Sequence, residues 1–230
     1  REHAQSLDAA EHRSVCRARV AGIAGLLAQL AGPVVATTVE GYNATSRGGA
    51  HPVNTCPIPP PEEGVEVQTV SVRHGMFDIK LRTDGHGAPL LFLHGAGGLR
   101  GWEPFLADLA QAFTVYAPAH PGFETSTGLE HVHDVLDMVV YYNDLLGALH
   151  LDAVHLLGHS LGGMIAAELA ALSPHRVRKL VLANALGLWL ETQPVADFFA
   201  MTPEQLGEAL WHDPHSAVAQ AMMAPPQDET

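Results

Sequence analysis

The stretch LLGHSLGGMIAAELA, Leu156–Ala170, sets one serine between glycines where an apolar run becomes a helical pattern. Before it, Ala153-Val154-His155-Leu156-Leu157 is short and β-prone. After it, apolar residues recur at helical spacing through Leu172 and stop at Ser173-Pro174. Gly158-His159-Ser160-Leu161-Gly162 therefore falls on a strand-to-helix turn, the setting in which Gly-x-Ser-x-Gly carries chemistry. A serine hydroxyl is a poor nucleophile until a base takes its proton, and it must stand clear of the backbone for a carbonyl carbon to approach. A sharp turn exposes it, and Gly158 and Gly162 let neighbouring backbone pack close. The N–H of Leu161, at the start of the helix, is then a candidate donor to an oxyanion.

A second glycine-rich motif lies upstream. Leu91-Phe92-Leu93-His94-Gly95-Ala96-Gly97-Gly98 ends an apolar strand in a loop with almost no side chains. Such a loop presents backbone N–H groups, and Ala96 N–H is assigned as the second oxyanion donor. A phosphate cradle is the competing reading. The loop lacks the Gly-Lys-Ser/Thr ending of a P-loop, and the Rossmann glycine pattern is absent. His94 is expected to hold the loop rather than to act as a base.

The remaining pattern supplies the frame. Val67–Arg73 and Phe77–Arg82 alternate around His74-Gly75, as a hairpin does. Strands are expected at 89–93, 113–117, 153–157 and 179–183, and helices at 102–113, 131–149 and after Ser160. The fold class is α/β: a doubly wound, mostly parallel sheet behind an antiparallel hairpin. Three segments follow: 1–64 as a poorly structured extension and linker, 65–188 as the core, and 189–230 as short helices opening with Thr202-Pro203-Glu204-Gln205.

Composition narrows the function. Twelve basic against 25 acidic residues give a formal net charge of −13, which argues against a nucleic-acid surface or a polybasic membrane patch. Cys16 and Cys56 match no metal or redox spacing, and neither a metal nor a cofactor is expected. A small-molecule substrate is the expected partner; the oligomeric state is not readable. The chain begins at Arg1, and an apolar stretch at 20–36 follows three arginines. A cytoplasmic protein is expected, or a secreted or periplasmic one if residues 13–36 act as a signal.

From about Val65 to Met223 the chain resembles the α/β-hydrolase fold family. His94-Gly95, the loop Ala119-His120-Pro121-Gly122-Phe123-Glu124-Thr125-Ser126, and Gly158-His159-Ser160-Leu161-Gly162-Gly163 carry the resemblance. It implies Ser160 as nucleophile, Ala96 and Leu161 amides as the oxyanion hole, and residues 189–230 as the start of a helical cap. Two positions depart from the family pattern. Ala119 stands where many members have aspartate, and Glu124 where they have glycine.

The resemblance also implies an acid and then a histidine after the serine. The histidines after Ser160 are His175, His212 and His215. The first is expected at the far end of the nucleophile helix and the other two in the cap. Asn184-Ala185-Leu186-Gly187 carries no carboxylate, and Asp197 and Asp213 read as helix-start or surface residues. The chain therefore reads as a hydrolase stopping inside its cap, with the strand at 179–183 left as an open, association-prone edge. His159 adjoins Ser160 but should point away from it. His94, Trp102, Phe123, His159 and Trp189 are candidate pocket residues. Two functions compete: a serine hydrolase of ester-like or related carbonyl substrates, carbon–carbon bond hydrolysis included, and an inactive ligand-binding protein on the same scaffold.

Overall fold

The computed structural model describes residues 36–39, 64–188, 197, 200–211, 213–216, 219 and 220 of the 230. Among the described residues, seven strands form one sheet: β1 (Ala36–Val39), β2 (Glu66–Val72), β3 (Phe77–Asp84), β4 (Ala88–Leu93), β5 (Phe113–Pro118), β6 (Val154–His159) and β7 (Val177–Ala183). Their spatial order is β1-β7-β6-β4-β5-β3-β2. The hairpin β2–β3 joins β5 antiparallel, and every pairing from β5 to β1 is parallel. Helices α1 (Pro104–Ala110), α2 (Val135–Ala148) and α3 (Leu161–Leu172) are the crossovers. Helix α4 (Pro203–Leu210) lies in a second unit. It opens with the capping box expected of Thr202 and Gln205.

The sheet is buried on both faces because its side chains alternate. On β4, Leu91 and Leu93 join Tyr142, Leu145 and Ile165 of α2 and α3. Leu90 and Phe92 point the other way and pack with Leu106 and Leu109 of α1. This two-sided core fixes the level of the C-terminal strand ends, where an open α/β sheet places its sites.

Several expectations need correction. The edge of β7 is not open: β1 pairs with it in parallel, Ala36 opposite Leu180 and Val39 opposite Ala183. That strand comes from the segment expected to lack regular structure, and it removes the reason for expecting self-association at β7. Helix α1 is shorter than the expected 102–113, because Pro104 takes its first turn and Gly101, at φ 87°, breaks the chain before it. Helix α2 begins at Val135 and not His131. The Asp134 carboxylate accepts from Leu136 and Asp137 N–H at 2.8 and 3.0 Å and caps it there.

Glu124 also acquires a physical reason. It sits at φ 50°, in the left-handed region that favours glycine. Its carboxylate receives two bonds from the Arg82 guanidinium, at 2.7 and 2.9 Å, and one ion pair from Lys80 at 2.8 Å. Arg82 is nearly buried, with a side chain only 5% exposed. Burial alone would raise the Glu124 carboxyl, but the bonds from Arg82 and Lys80 outweigh it and hold it below its usual range. Glu124→Ala is expected to cost about 2 kcal/mol, less than a fully buried pair because Glu124 keeps some solvent. Glu124→Gly should cost about 1 kcal/mol less than the alanine, since glycine relieves the backbone. Urea midpoints of the three proteins check the ranking; an alanine variant at least as stable as the glycine variant would refute it.

Candidate active site

Ser160 joins β6 to α3 at φ 52° and ψ −116°, a conformation costly for a side-chain-bearing residue. The turn is held from three sides. Ser160 N–H donates to Ala183 C=O at 3.0 Å, and Ser160 C=O accepts from Met164 and Leu186 N–H, each at 3.1 Å. The hydroxyl does not cap α3 and stays available. The glycines are sterically required. A Cβ on Gly158 would stand 2.4 Å from Gly162 O, and one on Gly162 would stand 2.1 Å from Leu93 O. Leu161 is the first residue of α3, so its N–H has no partner within the helix and carries the positive end of the helix dipole.

The loop after β4 meets this turn. A Cβ on Gly95 would stand 3.2 Å from Ser160 Cβ and 3.0 Å from His159 Nδ1. A side chain at Gly95 would crowd His159 and Ser160, so glycine suits this close approach. Gly98, at φ 73°, closes the loop by donating its N–H to Gly95 C=O at 3.0 Å.

Beneath the loop lie two buried histidines whose protonation the hydrogen bonds dictate. His120 backbone N–H can only donate, so His94 Nε2, at 2.9 Å, accepts and is bare. Neutral His94 then carries its proton on Nδ1 and donates to Gly95 C=O at 2.7 Å. His94 C=O can only accept, so His120 Nε2 is the protonated nitrogen and donates to it at 2.8 Å. His120 Nδ1 is left as acceptor, and the Tyr142 hydroxyl donates to it. Burial, reinforced by His94 alongside, pushes His120 down to about 3. Burial likewise lowers His94. Both rings are therefore neutral, and they tie the loop after β4 to the loop after β5.

Phe123 lines a cavity of about 240 Å³ beside the turn, together with Leu161, Met164, Ile165, Met138 and Val132. Trp102 does not join it. The residue precedes α1 and is buried in the core cluster beneath that helix. His94 lies beneath the loop, and His159 is exposed at the turn. Trp189 and His212 lie outside the described residues. His175 sits in the short turn before β7, at the opposite end of the parallel strands from Ser160. Among the described residues no histidine or carboxylate is hydrogen-bonded to the Ser160 hydroxyl, and no cluster of three or more His, Cys, Asp or Glu is arranged to hold a metal. No described helix is long and apolar enough to cross a membrane. Sequence reasoning gave neither His120, in the loop 119–126, nor Tyr142 a role at the site, because their partners are distant in the chain.

The chain is similar to several hydrolases. It is 34% identical over 122 residues to a 2-hydroxy-6-oxo-2,4-heptadienoate hydrolase of Pseudomonas putida, covering 51% of this chain and 44% of that one. It is 34% identical over 135 residues to a 2-hydroxymuconate semialdehyde hydrolase of a Pseudomonas species, covering 56% and 45%. The chain thus spans less than half the length of these relatives. Among solved structures, a bacterial membrane phospholipase A aligns with a TM-score of 0.52 at 28% identity, over 56% of this chain and 43% of that one. Naproxen esterase from Bacillus subtilis aligns with a TM-score of 0.58 over 69% and 59%; at 21% identity that likeness concerns the fold alone. The family model described as alpha/beta hydrolase fold matches residues 88–213, more than half of the chain. With its parallel sheet, its strained serine turn and this match, the chain belongs to the α/β-hydrolase fold family.

Proposed function

We propose that this chain carries the nucleophile and oxyanion hole of a serine hydrolase acting on ester-like or related carbonyl substrates. The observation that supports it most is the close approach of the Gly95 loop to the strained Ser160 turn, where a Cβ on Gly95 would stand 3.2 Å from Ser160 Cβ. In this reading Ser160 Oγ attacks the carbonyl carbon while Ala96 and Leu161 N–H groups receive the negative charge forming on the oxygen. The serine proton passes to a general base, a histidine in this family, and from it to the leaving group as the bond to the carbonyl carbon breaks; water then releases the acyl group from the serine, restoring its proton. The likeness to two hydrolases with dienoate and muconate semialdehyde names favours a second reading on the same residues, cleavage of a carbon–carbon bond next to a carbonyl.

A fluorophosphonate probe tests the assignment. In a protein that also supplies the general base, labelling is expected at Ser160 and should vanish in Ser160→Ala. It should persist in Ser173→Ala, whose hydroxyl is occupied by Asn143 at 3.0 Å. Ser126 is likewise engaged, donating to Ala119 C=O at 3.0 Å, and should take no label. Undiminished labelling of Ser160→Ala would overturn the proposal, as would an unlabelled wild type. The latter result would favour the ligand-binding alternative.

A further inference from the structure

We propose that His120 and Tyr142 are positioning residues that aim the Ala96 N–H at the Ser160 site. The proposal rests on the reading of Ala96 as an oxyanion donor. The geometry runs through one peptide plane. In a trans peptide the carbonyl of Gly95 and the N–H of Ala96 point in opposite directions within a plane. Whatever fixes Gly95 C=O therefore fixes Ala96 N–H. That carbonyl is pinned twice, by His94 Nδ1–H at 2.7 Å and by Gly98 N–H at 3.0 Å.

His94 can pin it only with the proton on Nδ1 and the ring held in place. His120 supplies both conditions. Its backbone N–H occupies His94 Nε2 at 2.9 Å, which excludes the other tautomer. Its Nε2–H binds the carbonyl of His94 itself at 2.8 Å, and the two rings lie with centroids 3.8 Å apart. His120 must in turn keep its proton on Nε2. The Tyr142 hydroxyl enforces that by donating to Nδ1 from α2, where the tyrosine is fully buried. Hydrogen bonds thus connect the interior of α2 to a backbone donor beside the serine. Buried polar networks with every member satisfied are rigid, and a donor pre-aimed in this way needs no reorganisation when charge develops.

The experiment compares the 230-residue wild type with Tyr142→Phe, His120→Leu and His120→Gln. Glutamine presents an N–H donor near the position of histidine Nε2, whereas leucine presents none. Two readouts are needed: amide hydrogen exchange of Gly98 relative to the amides of β4 and β6, and the rate at which a fluorophosphonate labels Ser160. In Tyr142→Phe and His120→Leu, Gly98 exchange should rise about tenfold, the equivalent of one hydrogen bond. Labelling should slow by a similar factor. His120→Gln should stay within about threefold of wild type on both, a margin smaller than one hydrogen bond. Unchanged Gly98 exchange in His120→Leu would overturn the proposal. So would exchange that rises equally throughout β4 and β6, which is the signature of a purely structural role. Should labelling stay unchanged while Gly98 exchange responds as stated, the loop support stands and the reading of Ala96 as an oxyanion donor falls.

Discussion

Gly162→Ala is expected to lower the melting temperature by roughly 6–12 °C, whereas Gly147→Ala should leave it unchanged or raise it. The two substitutions add the same methyl group to two helices of one sheet. At Gly162 the new Cβ would stand 2.1 Å from Leu93 O, 2.4 Å from Leu93 C and 2.5 Å from His94 O. These are backbone atoms, so no side chain can swing aside. Leu93 is fixed by its pairing with Gly158 and is completely buried. Helix α3 would have to retreat from β4, opening gaps against Ile165 and Leu169 in the core. Overpacking of this kind costs about 3 kcal/mol, the upper part of the usual range. A substantial share of total stability is then lost. At Gly147, by contrast, nothing lies within 4 Å of an added Cβ. The residue is within α2, and alanine there recovers up to about 1 kcal/mol of helix propensity. Circular dichroism melts decide the matter. A Gly162→Ala protein melting within about 2 °C of wild type, less than 1 kcal/mol for a chain of this size, would mean that α3 does not press on β4 as described.

That packing also shows what a single sequence can reveal. The strand, turn and helix around Ser160 were readable because their periods change within a few residues, and the glycines stand where backbone must touch backbone. The sharp turn at Ser160 was implied by the same pattern. Strand β1 was not readable. Ala36-Thr37-Thr38-Val39 is four residues long without an alternating apolar face, and its pairing depends on an edge more than 130 residues later. Glu124 could be flagged because the family pattern has glycine at its position. Its partner Arg82 lies 42 positions away on β3, so the compensating ion pair appears only in three dimensions. The same holds for His120, whose ring is held by groups 22 and 26 positions distant. Local chemistry is legible; the second partner of a long-range contact is not.

The buried histidines lead to a second large effect, acid lability that begins near neutrality. His120 is held neutral in the fold, down to about 3, against an ordinary value of 6.5. His94, and His155 on β6, are lowered in the same direction, each first of all by burial. Below pH 6.5 the unfolded chain takes up protons at these rings and the folded chain does not. Acidification therefore favours unfolding, and stability is fully present only above the unfolded value. The His120 ring contributes a loss approaching about 1.4 kcal/mol for every pH unit below 6.5, until about pH 3 is reached. Between pH 6.5 and 5.0, His120 alone accounts for about 2 kcal/mol. Glu124 adds to the loss only at lower pH. Its carboxyl is depressed in the fold, so its contribution disappears as the pH falls through and below the ordinary carboxylate range. The two sources are thus separated along the pH axis. Urea unfolding at pH 7.5, 6.5, 5.75 and 5.0, at constant ionic strength, should show stability flat down to 6.5 and falling below it. His120→Gln keeps a donor and cannot titrate, so it should reduce the slope between 6.5 and 5.0 by about 1.4 kcal/mol per pH unit. A glutamine variant with the wild-type slope would show that the His120 ring protonates freely in the folded protein, and that the hydrogen bonds tying it to Tyr142 and His94 do not fix its charge.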